Sequence, residues 1–143
     1  MKSNKLLIAL ALAFLIVPVL TACGPTTVDA ALTTYDITLD KDSASAGDIT
    51  FHIHNDAVDL THEFVVFKTD IPADQLPLND EGIVDEEAGG SDLVLIDEKE
   101  DIEPGMSTDL TVTLEPGNYV LVCNIDSDEM HYSHGMYTSF TVK

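Results

Sequence analysis

The 143-residue chain has no arginine and no tryptophan, and its only cationic residues are six lysines, against 26 aspartates and glutamates. Two of those lysines, Lys2 and Lys5, fall in the first five residues. The remainder cannot assemble a basic patch, so nucleic acid is excluded as a partner. An anionic bilayer surface would repel such a face as well. Cysteine is scarce, with Cys23 and Cys123 alone. No window of helical length has a 3.6-residue apolar period, which excludes a helical bundle. The longest apolar run covers residues 6–20, shorter than the ~20 residues of a spanning helix. The chain contains no internal repeat.

That apolar run follows Lys2 and Lys5 and ends in Leu20-Thr21-Ala22-Cys23-Gly24. Its length and flanks fit a signal peptide, and its ending resembles a bacterial lipoprotein signal in which Cys23 becomes the lipidated first residue. The expected organisation is a signal over residues 1–22, lipidated Cys23 and a tether over 23–32, and one domain over 33–143. Cleaved, or retained as a short anchor, this segment places the rest outside the cytoplasm. Removing residues 1–22 leaves 121 residues, with four lysines against 26 acidic groups and a net charge of −22. That length suffices for one core. The charge suits docking to a basic partner or solubility in salt.

The domain reads as strands. Tyr35, Ile37 and Leu39 alternate with polar residues, as do Ile49, Phe51 and Ile53, and Leu110, Val112 and Leu114. Residues 62–67 are rich in Phe and Val, 119–123 are apolar on both faces, and 138–142 close the chain. Turn signals at Ala46-Gly47-Asp48, Glu103-Pro104-Gly105 and Glu115-Pro116-Gly117 separate them. The pattern predicts an all-β, antiparallel sandwich with Greek-key connections. Residues 70–101 stand apart, with 12 acidic residues, Pro72, Pro77 and Gly89-Gly90. They read as a long solvated excursion with at most one helical turn near 73–76. The spacing of an EF-hand calcium loop does not occur there.

With Cys23 engaged by lipid, Cys123 is a lone thiol in an oxidising compartment, where metal ligation is the leading use for one. Cys123 follows an apolar strand, and His131 and Met136 come off the same loop before the last strand. His62 opens the Phe/Val-rich strand far upstream. Copper alternates between Cu(I), which favours soft sulfur, and Cu(II), which favours nitrogen. Two imidazoles, a thiolate and a distant thioether serve both states.

Cys123-x7-His131-x4-Met136, preceded by 117–122 and by Thr61-His62-Glu63-Phe64-Val65-Val66-Phe67 upstream, resembles the cupredoxin family, particularly its plastocyanin- and sulfocyanin-like single-domain members. The resemblance covers residues 33–143. It implies a Greek-key sandwich and one type 1 copper on His62, Cys123, His131 and Met136, with single-electron transfer between redox proteins that dock transiently near His131. It also implies a monomer that turns over no small-molecule substrate. Glu63 and Asn124 would tie the ligand loops together by hydrogen bonds, and Met130, Tyr132 and Tyr137 would rim His131. The Cys-to-His loop is longer than in the small members. Its carboxylates Asp126, Asp128 and Glu129 should favour Cu(II).

His134 competes with His131, and Met130 with Met136. His52 and His54 share one face of a strand and read as a solvent-facing pair. A copper-delivery protein would use the same ligands. Thiol catalysis needs an oxyanion pocket that no motif signals, a zinc site is ill served by methionine, and five histidines in one domain cannot build a trinuclear cluster.

Overall fold

A computed structural model describes residues 24–88, 90–125 and 130–143. The signal segment, Cys23 and the carboxylates of Asp126, Asp128 and Glu129 lie outside the described residues. Strands β1 (Thr26–Leu32), β2 (Ile37–Leu39), β4 (Gly47–Asn55) and β7 (Ser107–Leu114) form one sheet in the order β2-β1-β4-β7. Strands β3 (Ser43–Ala44), β5 (His62–Thr69), β6 (Leu93–Ile102), β8 (Gly117–Val122) and β9 (Tyr137–Val142) form the second, in the order β3-β9-β8-β5-β6.

Alternation decides which side chains face inward. Ile49, Phe51 and Ile53 of β4 and Leu110, Val112 and Leu114 of β7 enter the core between the sheets. Thr50, His52 and His54 point outward. His52 Nδ1 lies 2.6 Å from Asp109 Oδ1, and His54 Nδ1 lies 2.7 Å from Ser107 Oγ. Central strand β8 is buried on both faces. Tyr119 and Leu121 join the inter-sheet core, while Val120 and Val122 join a second cluster with Val65, Phe67, Leu76, Val84, Leu93 and Tyr132.

Three features depart from the sequence reading. The segment read as a tether supplies β1, with Val28, Ala30 and Leu32 buried. Its alternation is diluted by alanine, which carries little strand signal. The pairing is not purely antiparallel, because β1 runs parallel to β4 from Thr26↔Ile49 to Leu32↔Asn55, and β3 runs parallel to β9. The acidic excursion ends in β6, a ten-residue strand on the edge beside β5. Its charges follow the rule that exposed edges carry like charge against edge-to-edge pairing.

The rest of the excursion folds back over the second cluster. Gln75 N–H donates to Pro72 O at 2.8 Å, closing a non-helical turn where a helical one was expected, and the helical turn of this segment lies instead at Gly90–Asp92, just before β6. The hydroxyl of Tyr132 accepts the Leu76 N–H at 3.0 Å and donates to Ala73 O at 2.7 Å. No helix of the described residues is long and apolar enough to cross a membrane.

Tyr132→Phe leaves a buried N–H and a carbonyl without their partner and is expected to cost about 1–3 kcal/mol. Denaturant unfolding at unchanged m-value checks this. The Asp109 carboxylate, by hydrogen bond, raises the pKa of His52 above the usual histidine value. The pair therefore stabilises the fold below the ordinary histidine pKa, and that contribution fades as pH rises through the raised one. Asp109→Asn is expected to return the His52 titration, followed by NMR, towards ~6.5. The effect on stability should be small because the pair is exposed.

Candidate metal centre

The ends of three strands converge at one pole of the sandwich. His62 opens β5, Cys123 directly follows β8, and Met136 directly precedes β9. The pairs Val65↔Val122 and Val122↔Tyr137 fix the three strand ends side by side. Cys123 N–H donates to Met136 O at 3.0 Å, closing the base of the loop. Within it, the N–H groups of His134 and Met136 both donate to His131 O at 3.1 Å. A short 3-10 turn, Tyr132–His134, ends at Gly135 with φ 98°, a left-handed conformation that suits glycine and turns the chain into β9.

Asn55, at the end of β4, secures the connections on the other side. Its side chain is fully buried. It donates to Leu60 O at 2.8 Å and Ile102 O at 2.7 Å and accepts the Ala57 N–H at 2.9 Å. This holds the loop that delivers His62. A polar residue ending an alternating strand carried no signal of that role.

His62 Nδ1 and His131 Nδ1 are 3.1 Å apart, and Cys123 Sγ lies 3.6 Å from the first and 3.4 Å from the second. These distances leave a point about 2.0 Å from all three atoms, the length of a metal–imidazole bond. All three side chains are buried. Met136 is fully buried in the same apolar cluster as Cys123. Burial foremost, then the neighbouring His131, drives the pKa of His62 down to about 4, and the Thr33 backbone opposes this weakly. Burial likewise pushes the Cys123 thiol up to about 11, partly offset by the Glu63 and Ile125 backbone. Without metal, His62 and Cys123 are thus neutral donors in an apolar pocket shared with the His131 imidazole. Such a set fits a soft or borderline transition metal and suits Ca²⁺ and Mg²⁺ poorly.

The structure separates the competing histidines. His131 is 2% exposed and joins the cluster, whereas His134 is exposed and stacks on Tyr35, with centroids 4.5 Å apart at 21°. Tyr35 in turn meets the His131 ring edge-on, at 5.4 Å and 75°. The rim expected from Met130, Tyr132 and Tyr137 takes another form. Tyr132 is buried in the second cluster, packed on Tyr137 at 5.1 Å, and Tyr35 is the aromatic ring over His131. Tyr35, read from alternation as part of a strand with Ile37 and Leu39, lies instead in the turn after β1, and far from any ligand in sequence it gave no sign of this contact.

The side chains of Glu63 and Asn124 make contacts other than a tie between the ligand loops. The Glu63 backbone N–H donates to Cys123 Sγ at 3.2 Å. Its carboxyl instead clusters with those of Glu98 and Glu100. Burial first, then those two neighbours, raises its pKa to about 8. Asn124 Oδ1 accepts the Val84 N–H at 2.7 Å, and its amide donates to Val84 O at 3.2 Å. It thereby ties the end of β8 to the excursion.

No protein-family model and no curated protein sequence matches the chain. Solved structures do. The dithionite-reduced auracyanin of the photosynthetic bacterium Roseiflexus castenholzii aligns at 24% identity over 82% of this chain and 97% of its own, with a TM-score of 0.57. Rusticyanin from Thiobacillus ferrooxidans aligns at 18% identity over 85% of this chain and 79% of its own, with a TM-score of 0.59. Auracyanin B aligns at 16% identity over 82% and 88%, with a TM-score of 0.54. Likeness at these identities speaks to architecture, and with the two mixed sheets and the strand ends that gather His62, Cys123, His131 and Met136 at one pole it shows that the chain has the cupredoxin fold.

Proposed function

We propose that this chain is an extracytoplasmic, lipid-anchored electron-transfer protein that holds one type 1 copper on His62, Cys123, His131 and Met136. The observation that carries the reading is the 3.1–3.6 Å triangle of two imidazole nitrogens and one thiol sulfur, buried at the pole of the sandwich. When bound there, copper would supply a one-electron Cu(I)/Cu(II) couple. The chain's own part is to present nitrogen and sulfur donors from rigid strand ends, to keep them dry, and to hold them in place before metal arrives. Rusticyanin is named a copper protein, and its reduced form and that of auracyanin are among the similar structures. That supports the same chemistry here.

The role is binding and relay, with no substrate turned over. The anchor rests on the sequence ending at Cys23, and it holds a monomeric domain of net charge −22 beside a membrane it would otherwise avoid. Its redox partners dock transiently at the pole that carries His131, and the domain's charge favours a cationic contact surface. A delivery protein could use the same four residues. Burial of all four side chains favours retention over release.

Adding Cu(II) to the chain is expected to produce intense visible absorption and a reversible redox couple, and Cys123→Ser is expected to abolish the colour. A colourless complex, or colour that survives the substitution, would refute the proposal. Met136→Leu is expected to keep the colour while moving the reduction potential, read by voltammetry, because the axial ligand tunes it. At metal a thousand-fold above Kd, the folded state should gain about 4 kcal/mol, seen as a higher unfolding midpoint that chelator reverses.

A further inference from the structure

We infer that Tyr35, braced by His134, caps the metal centre, keeping water off His131 and setting how closely a redox partner can approach. The inference rests on the copper reading above. His131 is 2% exposed although it sits in a surface turn whose residues Ser133 and His134 are exposed. The cover comes from the opposite sheet. Tyr35 stands in the turn between β1 and β2, closed by Thr33 N–H donating to Asp36 O at 3.0 Å. The Leu32↔Ile37 pair and the Asp56 N–H bond to Leu32 O at 2.7 Å fix that turn. The Tyr35 ring thus bridges two histidines, edge-on to His131 and stacked on His134.

Half-buried Tyr35 and exposed His134 therefore meet a visitor before His131 does. Asp36, exposed beside Tyr35, adds negative charge there. The fitting partner is a one-electron redox protein with a cationic contact surface. One electron leaves the reduced partner and one Cu(II) becomes Cu(I). No bond forms or breaks at Tyr35, and its ring keeps its oxidation state. A dry histidine edge also disfavours the more highly charged Cu(II) form, since the apolar shell around a site governs solvent access and potential.

The test uses the full copper-loaded chain and its Tyr35→Ala, Tyr35→Phe and His134→Ala variants. The probes are reduction by hexaammineruthenium(II), copper loss to EDTA, and the visible spectrum as a check on the intact centre. Tyr35→Ala is expected to accelerate copper loss about tenfold or more, to speed reduction by the small probe, and to lower the reduction potential. Tyr35→Phe should restore the wild-type values, and His134→Ala should fall between. Tyr35→Leu replaces Tyr35→Ala if the latter does not fold. Wild-type rates and potential in a Tyr35→Ala protein of unchanged spectrum overturn the inference, as does a Tyr35→Phe protein as fast as Tyr35→Ala. A wild-type chain with no thiolate–copper colour sinks the copper reading instead. The cap is then judged on metal-free protein by diethyl pyrocarbonate modification of His131. That modification should be slow in wild type and fast in Tyr35→Ala, and equal rates reject the cap.

Discussion

The metal pole depends on the register of β8 against β5 and β9. The ladder runs through Val65↔Val122, and one step further the Glu63 N–H donates to a sulfur, Cys123 Sγ, at 3.2 Å. On the other flank Val122↔Tyr137 is followed by Cys123 N–H to Met136 O. Side chains on a strand alternate between faces, so a slip of one residue would exchange them all. Cys123 now shares the inner face with Tyr119 and Leu121, while Val122 faces the second cluster. A one-residue slip would send the thiol under the acidic excursion and away from both imidazoles. Backbone pairing therefore positions the donors, with no ion required to gather them.

The second cluster explains why β8 can hold this register. A strand that is apolar on both faces needs cover on both. The opposing sheet covers one face, and residues 70–88 together with the start of β6 cover the other. Two polar side chains join that cover to the ligand loop. Tyr132 follows His131 and holds residues 73–76, and Asn124 follows Cys123 and holds Val84. Each meets two backbone groups, which would cost about 1–3 kcal/mol apiece if buried without partners. The acidic excursion is thus part of the structure that fixes the site, although its composition reads as solvated loop.

What the sequence revealed follows from how local each signal is. His62, Cys123, His131 and Met136 were legible because three of them lie within one loop between recognisable strands, and the fourth opens a run of apolar residues. The strands β4 and β7 were legible from period-2 alternation, and β8 from a run apolar on both faces. β1 was hidden because Ala30 takes the middle one of its three inward positions, and β6 because charged residues dominate an edge strand whose few apolar anchors are Leu93 and Ile102. Parallel pairing of β1 with β4 could not be read at all, since alternation says which face a residue occupies and nothing of its neighbour's direction. The structure separates His131 from its competitor His134 by burial, the first being 2% exposed and the second exposed. Tyr35 meets them only through the packing of one sheet's turn against the other's loop.

Two electrostatic influences oppose one another at this pole, and distance decides between them. The domain's net charge of −22 favours the more positive oxidation state of any bound metal. A single exposed charge 10 Å away is worth only about 0.4 kcal/mol in water, and that separation is already about one Debye length at 0.1 M salt. The groups that touch the centre act without such screening. Burial holds His62 neutral, and Cys123 brings the one charge the site acquires when a metal displaces its proton. The carboxyl that influences Cys123 most directly, that of Glu63, is itself raised to about 8 by burial and by Glu98 and Glu100, so near neutral pH it is mostly uncharged. The acidity of the chain is thus discounted at the buried donors and preserved at the surface. A buried donor pocket inside a strongly acidic domain separates the electrostatics of the cluster from those of the surface.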